Sequence, residues 1–223
     1  MSDRLVTVAV MARAKQLSFP CRGRGGFRPG AGRKRGTRVS HHGREVIGQP
    51  IPVHVVWRTR EDVPSMRGKK LFRQIRESFH RCHEKDGFGL THFSVISNHV
   101  HALVEADSAE ALSRGMQGLG VSMAKRINLT NDRHGPVFED RYYARQLRTP
   151  TETANAIDYV IHNQERHRAR QGMATRLPHE SHRTPPAPDP FCSAAFPPGT
   201  GPPLVAAPRT WLLSTGWRLA RAA

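Results

Sequence analysis

Cysteine is scarce in this 223-residue sequence, and its three copies, Cys21, Cys82 and Cys192, form no C-x-x-C pair. Scattered thiols argue against a zinc ribbon or a disulfide framework, and they fit a reducing compartment. Long apolar runs are also missing, since no stretch approaches the roughly 18 to 20 residues that span a bilayer. The apolar run at residues 5–12 is shorter still and lacks a cleavage site after it, so it does not predict a signal peptide. We therefore expect a cytoplasmic protein with no membrane partner.

Acidic residues are few as well: 18 Asp and Glu stand against 35 Lys and Arg, which gives a formal net charge of +17. This excess points to a polyanionic partner such as nucleic acid, with a solvated basic surface as the alternative. It is concentrated in residues 13–44, which contain ten Lys or Arg and no acid. We expect residues 1–48 to form a largely disordered basic arm that follows DNA phosphates or enters a minor groove. A basic leader without a specific role is the other interpretation.

The composition changes again from about residue 171, because nine prolines between residues 178 and 203 cannot sustain regular structure. We expect residues 171–223 to form a linker or a wrapping tail. The tail ends in RTWLLSTGWRLAR, a segment expected to dock on the domain as a short helix through Trp211, Leu212, Leu213 and Trp217. A regulatory or DNA-stacking role is the alternative for this end.

Residues 49–170, between the two tails, alternate strand and helix patterns. The predicted elements are a strand at 51–58, a helix at 67–85, a strand at 88–96, a turn at Ser97 and Asn98, a returning histidine strand that ends near residue 105, a helix at 108–129, a strand at 136–147 and a helix from 149. The helix at 108–129 is predicted despite Gly115, Gly118 and Gly120. This order predicts the α+β class, with a ferredoxin-like antiparallel sheet and helices on one face.

Two histidines one residue apart, His99 and His101, lie in the otherwise apolar stretch SNHVHALVE at residues 97–105. Alternate side chains of an extended strand point to the same face, so the two imidazoles project together, roughly 6 to 7 Å apart. Such a pair can bind one cation. The alternative is that the two side chains only pack in the core or form a patch on the outer surface. The pair is therefore half of a candidate metal site that needs a partner.

The best partner is the helix predicted from Thr149, because TPTE has the form of a capping box with proline at the first helical position. Its buried stripe is predicted to consist of Ala154, Ile157 and Ile161, and its roughly opposite face of Glu152, Ala156, Tyr159 and Asn163. Asn163 follows Tyr159 by one helical turn on that face. A phenol and an amide would thus be presented together to the histidine pair.

The HVH strand, the later YVIHN helix and the intervening GPVFEDRYYARQLRTPTE stretch together resemble the HUH single-tyrosine transposases, particularly the REP-associated group. The resemblance covers roughly residues 50–170. It implies that His99, His101 and Asn163 hold a divalent ion, and that Tyr159 cleaves and rejoins single-stranded DNA through a 5′-phosphotyrosine intermediate. Two imidazoles and an amide without thiolates favour Mg²⁺ or Mn²⁺ over structural zinc. A bacterial, nucleoid-associated enzyme is then expected.

Single-stranded or hairpin DNA is the expected partner, for a monomer or a homodimer. The candidate phosphate contacts are Arg141, Arg145 and Arg148, with a solvated face as the alternative. Tyr142 and Tyr143 could instead contact DNA or pack on the sheet, and Tyr159 is the predicted nucleophile because the oxygen ligand Asn163 follows it by four residues on the predicted helix. His162 is a candidate proton acceptor, or else a surface histidine.

Two other function classes fit part of this pattern. A cupin-type metal enzyme uses H-x-H-x-x-x-E, which His99, His101 and Glu105 satisfy. The cupin fold is wholly β, however, and Glu105 would sit roughly 13 Å beyond His101 in an extended strand. A non-catalytic DNA-binding protein derived from such a transposase would keep the arm and the charge. A role in replication or conjugation, as in relaxases, would use the same chemistry.

Overall fold

The computed structural model describes residues 45–170 and 187–222, so most of the predicted arm and the first part of the predicted tail lie outside the described residues. The helices and strands are β1 (Ile51–Arg58), α1 (Lys69–Cys82), β2 (Glu84–Lys85), β3 (Phe88–Val95), β4 (His99–Ala106), α2 (Ala109–Thr130), β5 (Tyr143–Gln146), α3 (Pro150–Ile161), α4 (Asn163–Arg170) and α5 (Trp217–Ala222). The strands form an antiparallel sheet in the order β2-β3-β4-β1-β5. Apart from the two-residue β2, this is a ferredoxin-like arrangement, which confirms the predicted α+β class.

The two faces of the sheet are covered by different helices. Alternate positions of β1 and β4 pack with α1 and α2 in the main core and include Val53, Val55, Val100, Ala102 and Val104. The intervening position Leu103 belongs to a second apolar cluster with Ile157 and Val160 of α3. The prediction of helices on one face therefore holds for α1 and α2, whereas α3 covers the opposite face.

Strand β5 is shorter than the strand predicted over residues 136–147. The first part of that segment makes one isolated β-bridge, between Phe138 and Thr59, the residue that follows β1. The Phe138 ring stacks on Trp57 with 4.0 Å between centroids, and Tyr142 meets the same indole edge-on at 5.7 Å. Aromatic pairs of this kind add about 0.5–1.5 kcal/mol beyond burial. Ring packing and two backbone hydrogen bonds, from Arg60 N–H to the Val137 oxygen and from Glu139 N–H to the Arg58 oxygen, hold this segment, and regular pairing begins only where β5 starts.

Two glycines of α2 differ in what surrounds them. A Cβ at Gly115 would lie 2.2 Å from Cγ of the fully buried Phe88. Gly115→Ala is therefore expected to lower the free energy of unfolding by about 1–3 kcal/mol through overpacking, as measured by urea denaturation. Gly118→Ala is the matched control, because its Cβ would meet only the Lys85 ammonium at 3.4 Å and helix propensity favours alanine by up to about 1 kcal/mol. Equal changes in the two variants would contradict this account.

The described part of the tail, residues 187–222, wraps along the domain. Arg67 and Asp189 form two hydrogen bonds, at 2.8 and 2.7 Å, that join the tail to the segment before α1. The Ala206 N–H donates to the Leu90 carbonyl oxygen at 2.7 Å and joins the tail to β3. Within the described residues, no helix has the length and apolar character needed to cross a membrane.

The end of the tail docks against α3. Leu213 is buried in the second apolar cluster, and Trp217 packs against the same cluster, as predicted for a staple. Leu212 is half-buried, but Trp211 is 55% exposed, so the prediction that it docks is wrong. Leu213 and Trp217 are four residues apart and share one helical face, which leaves Trp211 on the solvent side.

Candidate active site

Strand β4 carries the predicted histidine pair on the sheet face that α3 covers. The ring centroids of His99 and His101 are 4.8 Å apart. The Nδ1 atom of His99 lies 2.8 Å from the side-chain oxygen of Asn98. His101 is 5% exposed, and its Nε2 atom is buried without a hydrogen-bond partner among the described residues. An unpaired buried polar atom of this kind indicates a position where a ligand would be held.

A third histidine, His54 of β1, joins the pair without having been predicted. The antiparallel register of β1 and β4 sets His54 opposite Leu103, diagonal to His101. The His54 and His101 rings stack with centroids 5.4 Å apart, and His54 Nε2 is 3.2 Å from His101 Nδ1. Its only local signal is a single imidazole in the apolar strand IPVHVVWR, which does not reveal the partner strand.

Helix α3 presents Tyr159 to these histidines. The helix begins as predicted, since the Thr149 hydroxyl oxygen accepts the Glu152 N–H at 3.1 Å, and the Glu152 carboxylate accepts the N–H of Arg148, the residue before the cap, at 2.9 Å. The Tyr159 ring centroid lies 5.1 Å from that of His101 and 5.9 Å from that of His54. The predicted nucleophile and one predicted metal ligand are therefore in contact.

The remaining tyrosines and the predicted proton acceptor lie elsewhere. Tyr142 is buried in the main core, and Tyr143 on β5 is 50% exposed. All three tyrosines are within the described residues, and Tyr159 is the one whose ring packs on the histidine rings His54 and His101. The Nδ1 atom of His162 lies 3.1 Å from the Asp158 carbonyl oxygen, so this ring turns back onto its own helix.

The face of α3 that bears Tyr159 is more buried than predicted. Ala156, predicted opposite the apolar stripe, is 8% exposed, and Val160 is fully buried. Ile161, predicted within the stripe, is only half-buried. Helix α3 lies between the sheet and Leu213 of the tail, so two of its faces are covered. Tyr159 consequently faces the histidines of the sheet.

Asn163 follows Tyr159 by one turn, but on a new helix, because α4 begins at Asn163 directly after the residue that caps α3. Asn163 is 1% exposed, and neither its oxygen nor its nitrogen has a hydrogen-bond partner among the described residues. His167, another turn further on, brings its ring centroid to 5.3 Å from that of His99. Asn163 lies four residues after Tyr159, which contacts His101, and four before His167, which contacts His99. His167 was not predicted, although its i+4 spacing from Asn163 was a local signal.

The donors gathered at this site fit a divalent cation. His101 Nε2 and the Asn163 amide are buried without partners, as expected of atoms that bind an ion. No group of three or more His, Cys, Asp or Glu side chains within residues 45–170 and 187–222 is arranged to hold a metal. The predicted donor set, the imidazoles of His99 and His101 with the amide of Asn163, combines atom types that bind divalent cations.

All three sheet histidines of the site are neutral at pH 7. Burial, assisted by the positive charge of Arg145, lowers the pKa of His54 to about 4. Burial also lowers the pKa of His99 to about 4, with smaller contributions from His167 and Arg58. The pKa of His101 is lowered further by burial and by the neighbouring histidines. Neutral imidazole is the form that binds a metal ion, so the burial prepares these rings for that role.

One of the three predicted arginines borders the tyrosine. A cavity of about 290 Å³ beside Tyr159 is lined by His54, Arg145, Glu152 and Asn155, among others. The Arg145 guanidinium also donates to the Glu152 carboxylate at 2.8 Å. Arg148 is exposed and pairs with Glu45 at 3.0 Å, and Arg141 lies in the segment before β5. The structure thus brings Arg145 to the site, while Arg141 and Arg148 lie outside this cavity.

Glu105, the acid of the H-x-H-x-x-x-E pattern, holds the tail. It is fully buried, and its carboxylate accepts the Arg209 N–H at 2.7 Å. It also accepts the Thr210 N–H at 2.7 Å and the Thr210 hydroxyl at 2.6 Å. With these oxygens occupied and helices on both faces of the sheet, the pattern is not a cupin metal site.

A protein family and several solved structures are similar to this chain. The family described as "Transposase IS200 like" matches residues 49–164. The solved structure of a REP-associated tyrosine transposase bound to a REP hairpin is 13% identical, with a TM-score of 0.51 over 77% of this chain and 93% of that chain. A candidate transposase from Deinococcus radiodurans R1 is 12% identical, with a TM-score of 0.38 over 61% of this chain and 100% of that chain. No curated protein matches the chain.

The family match covers more than half of the chain. It extends from β1 through the histidine strand and α3 to Asn163, so it includes His99, His101 and Tyr159. The similarity to the REP-associated transposase independently supports the same fold. The chain therefore belongs to the IS200-like transposase family.

Proposed function

We propose that this transposase is a metal-dependent endonuclease that cleaves and rejoins single-stranded or hairpin DNA through a 5′-phosphotyrosine on Tyr159. The observation that carries the proposal is the contact between Tyr159 and His101, whose ring centroids are 5.1 Å apart in a partly buried site. A transposase of the same fold binds a REP hairpin, which supports hairpin DNA as the substrate. All the site residues come from one chain, so a monomer and a homodimer are both compatible with the proposal.

In the proposed reaction, the Tyr159 hydroxyl loses its proton and its oxygen attacks a backbone phosphorus. The bond from phosphorus to the 3′ oxygen breaks, and that oxygen takes up a proton to leave as a DNA 3′-hydroxyl. The aryl phosphate ester conserves the energy of the broken bond. Attack by a 3′-hydroxyl on this ester re-forms a phosphodiester and releases the tyrosine, so strands rejoin without ATP.

The other residues bind and orient the substrate. His99, His101 and Asn163 would hold Mg²⁺ or Mn²⁺, which when bound neutralises charge on the non-bridging phosphate oxygens. Arg145 is the predicted phosphate contact that lines the cavity beside Tyr159. Arg141, Arg148 and the basic arm over residues 1–48 would extend contact along the DNA backbone.

The test is covalent attachment of the full-length protein to DNA. Single-stranded oligonucleotides with a hairpin and randomised flanks, labelled at either the 5′ or the 3′ end, are incubated with Mg²⁺, Mn²⁺ or EDTA and run on a denaturing gel. A 5′-phosphotyrosine leaves the 3′ label on the protein and the 5′ label on a free fragment. We expect this pattern with either metal and not with EDTA.

Binding of the hairpins without any adduct, in both metals, would contradict the nuclease proposal. That result would favour the non-catalytic DNA-binding protein. An adduct that retains the 5′ label would show a 3′ linkage and would contradict the proposed polarity. An adduct that forms equally in EDTA would contradict the metal dependence.

A further inference from the structure

Both histidines of the candidate metal pair are engaged at Nδ1. His99 Nδ1 lies 2.8 Å from the side-chain oxygen of Asn98, and His101 Nδ1 lies 3.2 Å from His54 Nε2. An amide oxygen can only accept, so Asn98 holds His99 with the proton on Nδ1 and a lone pair on Nε2. The ring of His99 is thereby set in the tautomer that binds a cation through Nε2.

The partner of His101 is an imidazole, which can either donate or accept. If His54 donated, His101 would carry its proton on Nε2, and this buried N–H would have no acceptor among the described residues. An unsatisfied buried donor costs about 1–3 kcal/mol. If His54 accepts, His101 Nε2 keeps a lone pair that a cation can bind. Only the second arrangement gives His101 the same tautomer as His99.

We propose that His54 is a positioning residue whose Nε2 atom accepts the Nδ1 proton of His101 and so directs the His101 Nε2 lone pair into the site. This proposal rests on the proposed function, because it concerns the metal pair of the same site. Metal-binding histidines generally donate their second ring N–H to a hydrogen-bond acceptor in the protein. Removal of that acceptor typically weakens metal affinity 10–100-fold. Here that acceptor is a third histidine.

The strand that carries His54 is well suited to hold a ring in place. Strand β1 is hydrogen-bonded on both sides, to β4 and to β5, and the flanking Val53 and Val55 are buried in the main core. The His54 and His101 rings also stack with an interplanar angle of 22°. His54 is not a third metal ligand in this arrangement, because its Nε2 atom is already directed at His101 Nδ1.

Two measurements on the full-length protein test the role of His54. Long-range ¹H–¹⁵N NMR without metal should show His101 protonated at Nδ1 at neutral pH. Mn²⁺ binding is then titrated and monitored through the loss of the EPR signal of the free ion. The affinity for Mn²⁺ should be 10–100-fold weaker in His54→Leu than in the native chain. His54→Gln should lie closer to the native value, because its amide oxygen can accept the same proton. His92→Leu, at a half-buried histidine of β3 whose pKa burial lowers to about 4, is the matched control and should leave affinity unchanged.

Each outcome decides the proposal. Native affinity in His54→Leu, or equal affinities in His54→Leu and His54→Gln when thermal unfolding shows both folded, would overturn it. A proton on His101 Nε2 in the native chain would overturn it as well. If the native chain binds no Mn²⁺, the metal dependence in the proposed function fails, and the NMR tautomer alone decides whether His54 accepts from His101.

Discussion

A Tyr159→Phe variant is expected to lose covalent attachment to DNA by at least about 10³-fold, because it lacks the oxygen that attacks phosphorus in the proposed reaction. The ring that contacts His101 and His54 is retained. No described residue forms a hydrogen bond with the Tyr159 hydroxyl, so the free energy of unfolding should change by no more than about 0.5 kcal/mol. The measurement is the amount of adduct on a denaturing gel, with a 3′-labelled hairpin and Mn²⁺.

Tyr143→Phe is the matched control for this loss. It removes the same atom from a residue that is 50% exposed on β5, and it should keep the adduct. Tyr159→Phe should also bind Mn²⁺ and hairpin DNA as the native chain does, so that the loss reflects chemistry rather than folding. An adduct that persists in Tyr159→Phe and disappears in Tyr143→Phe would show that the nucleophile is assigned to the wrong residue.

A Glu105→Ala variant is expected to be less stable by about 3–5 kcal/mol, because it removes a fully buried carboxylate and leaves its donors unpaired. Those donors are the N–H groups of Arg209 and Thr210 and the Thr210 hydroxyl. For a domain of this size, the loss corresponds to a Tm lower by roughly 6–20 °C. Thermal unfolding followed by circular dichroism measures it.

The same substitution should loosen the tail. Arg209 and Thr210 lie just before a π-helical turn, Leu212–Gly216, that carries Leu213 against α3 and continues into α5. Residues 209–222 should therefore be cleaved faster in limited proteolysis. Asp107→Ala is the control: this carboxylate is 40% exposed and pairs with the Arg209 guanidinium at 3.1 Å. An exposed pair contributes at most about 1 kcal/mol. If the two variants were equally stable, Glu105 would not be the anchor of the tail.

Much of the fold could be predicted because its signals are local. The alternation in residues 51–58 predicted the bounds of β1, and the capping box at Thr149 predicted the start of α3. Those signals depend on residues within one turn or one strand, so the rest of the chain did not change them. The β3 to β4 hairpin was predicted for the same reason, from a turn at Ser97 and Asn98 between two strand patterns.

Prediction was weaker where one element is covered by another that is distant in sequence. Residues 136–142 carry a strand-like pattern, yet their pairing is limited to one isolated bridge, between Phe138 and Thr59, and the Phe138 ring stacks on Trp57. Ala156 has the position of an exposed helix residue, yet it is buried, because it lies on the face of α3 that carries Tyr159 and meets the sheet beside His54 and Leu147. Hydrophobic periodicity shows which residues share one face of a helix or strand. It does not show how many of those faces are covered by other parts of the protein.

The sequence by itself determined that His99 and His101 share one face of a strand and that Tyr159 follows on a capped helix, because side-chain direction within a strand or helix is a local property. Only the tertiary structure decided that these residues meet. His54 reaches His101 across 47 residues of chain through the register of β1 and β4. Glu105 binds a tail more than 100 residues away rather than a metal. Strand register and the docking of the tail depend on burial summed over the whole domain, which no short stretch of sequence encodes.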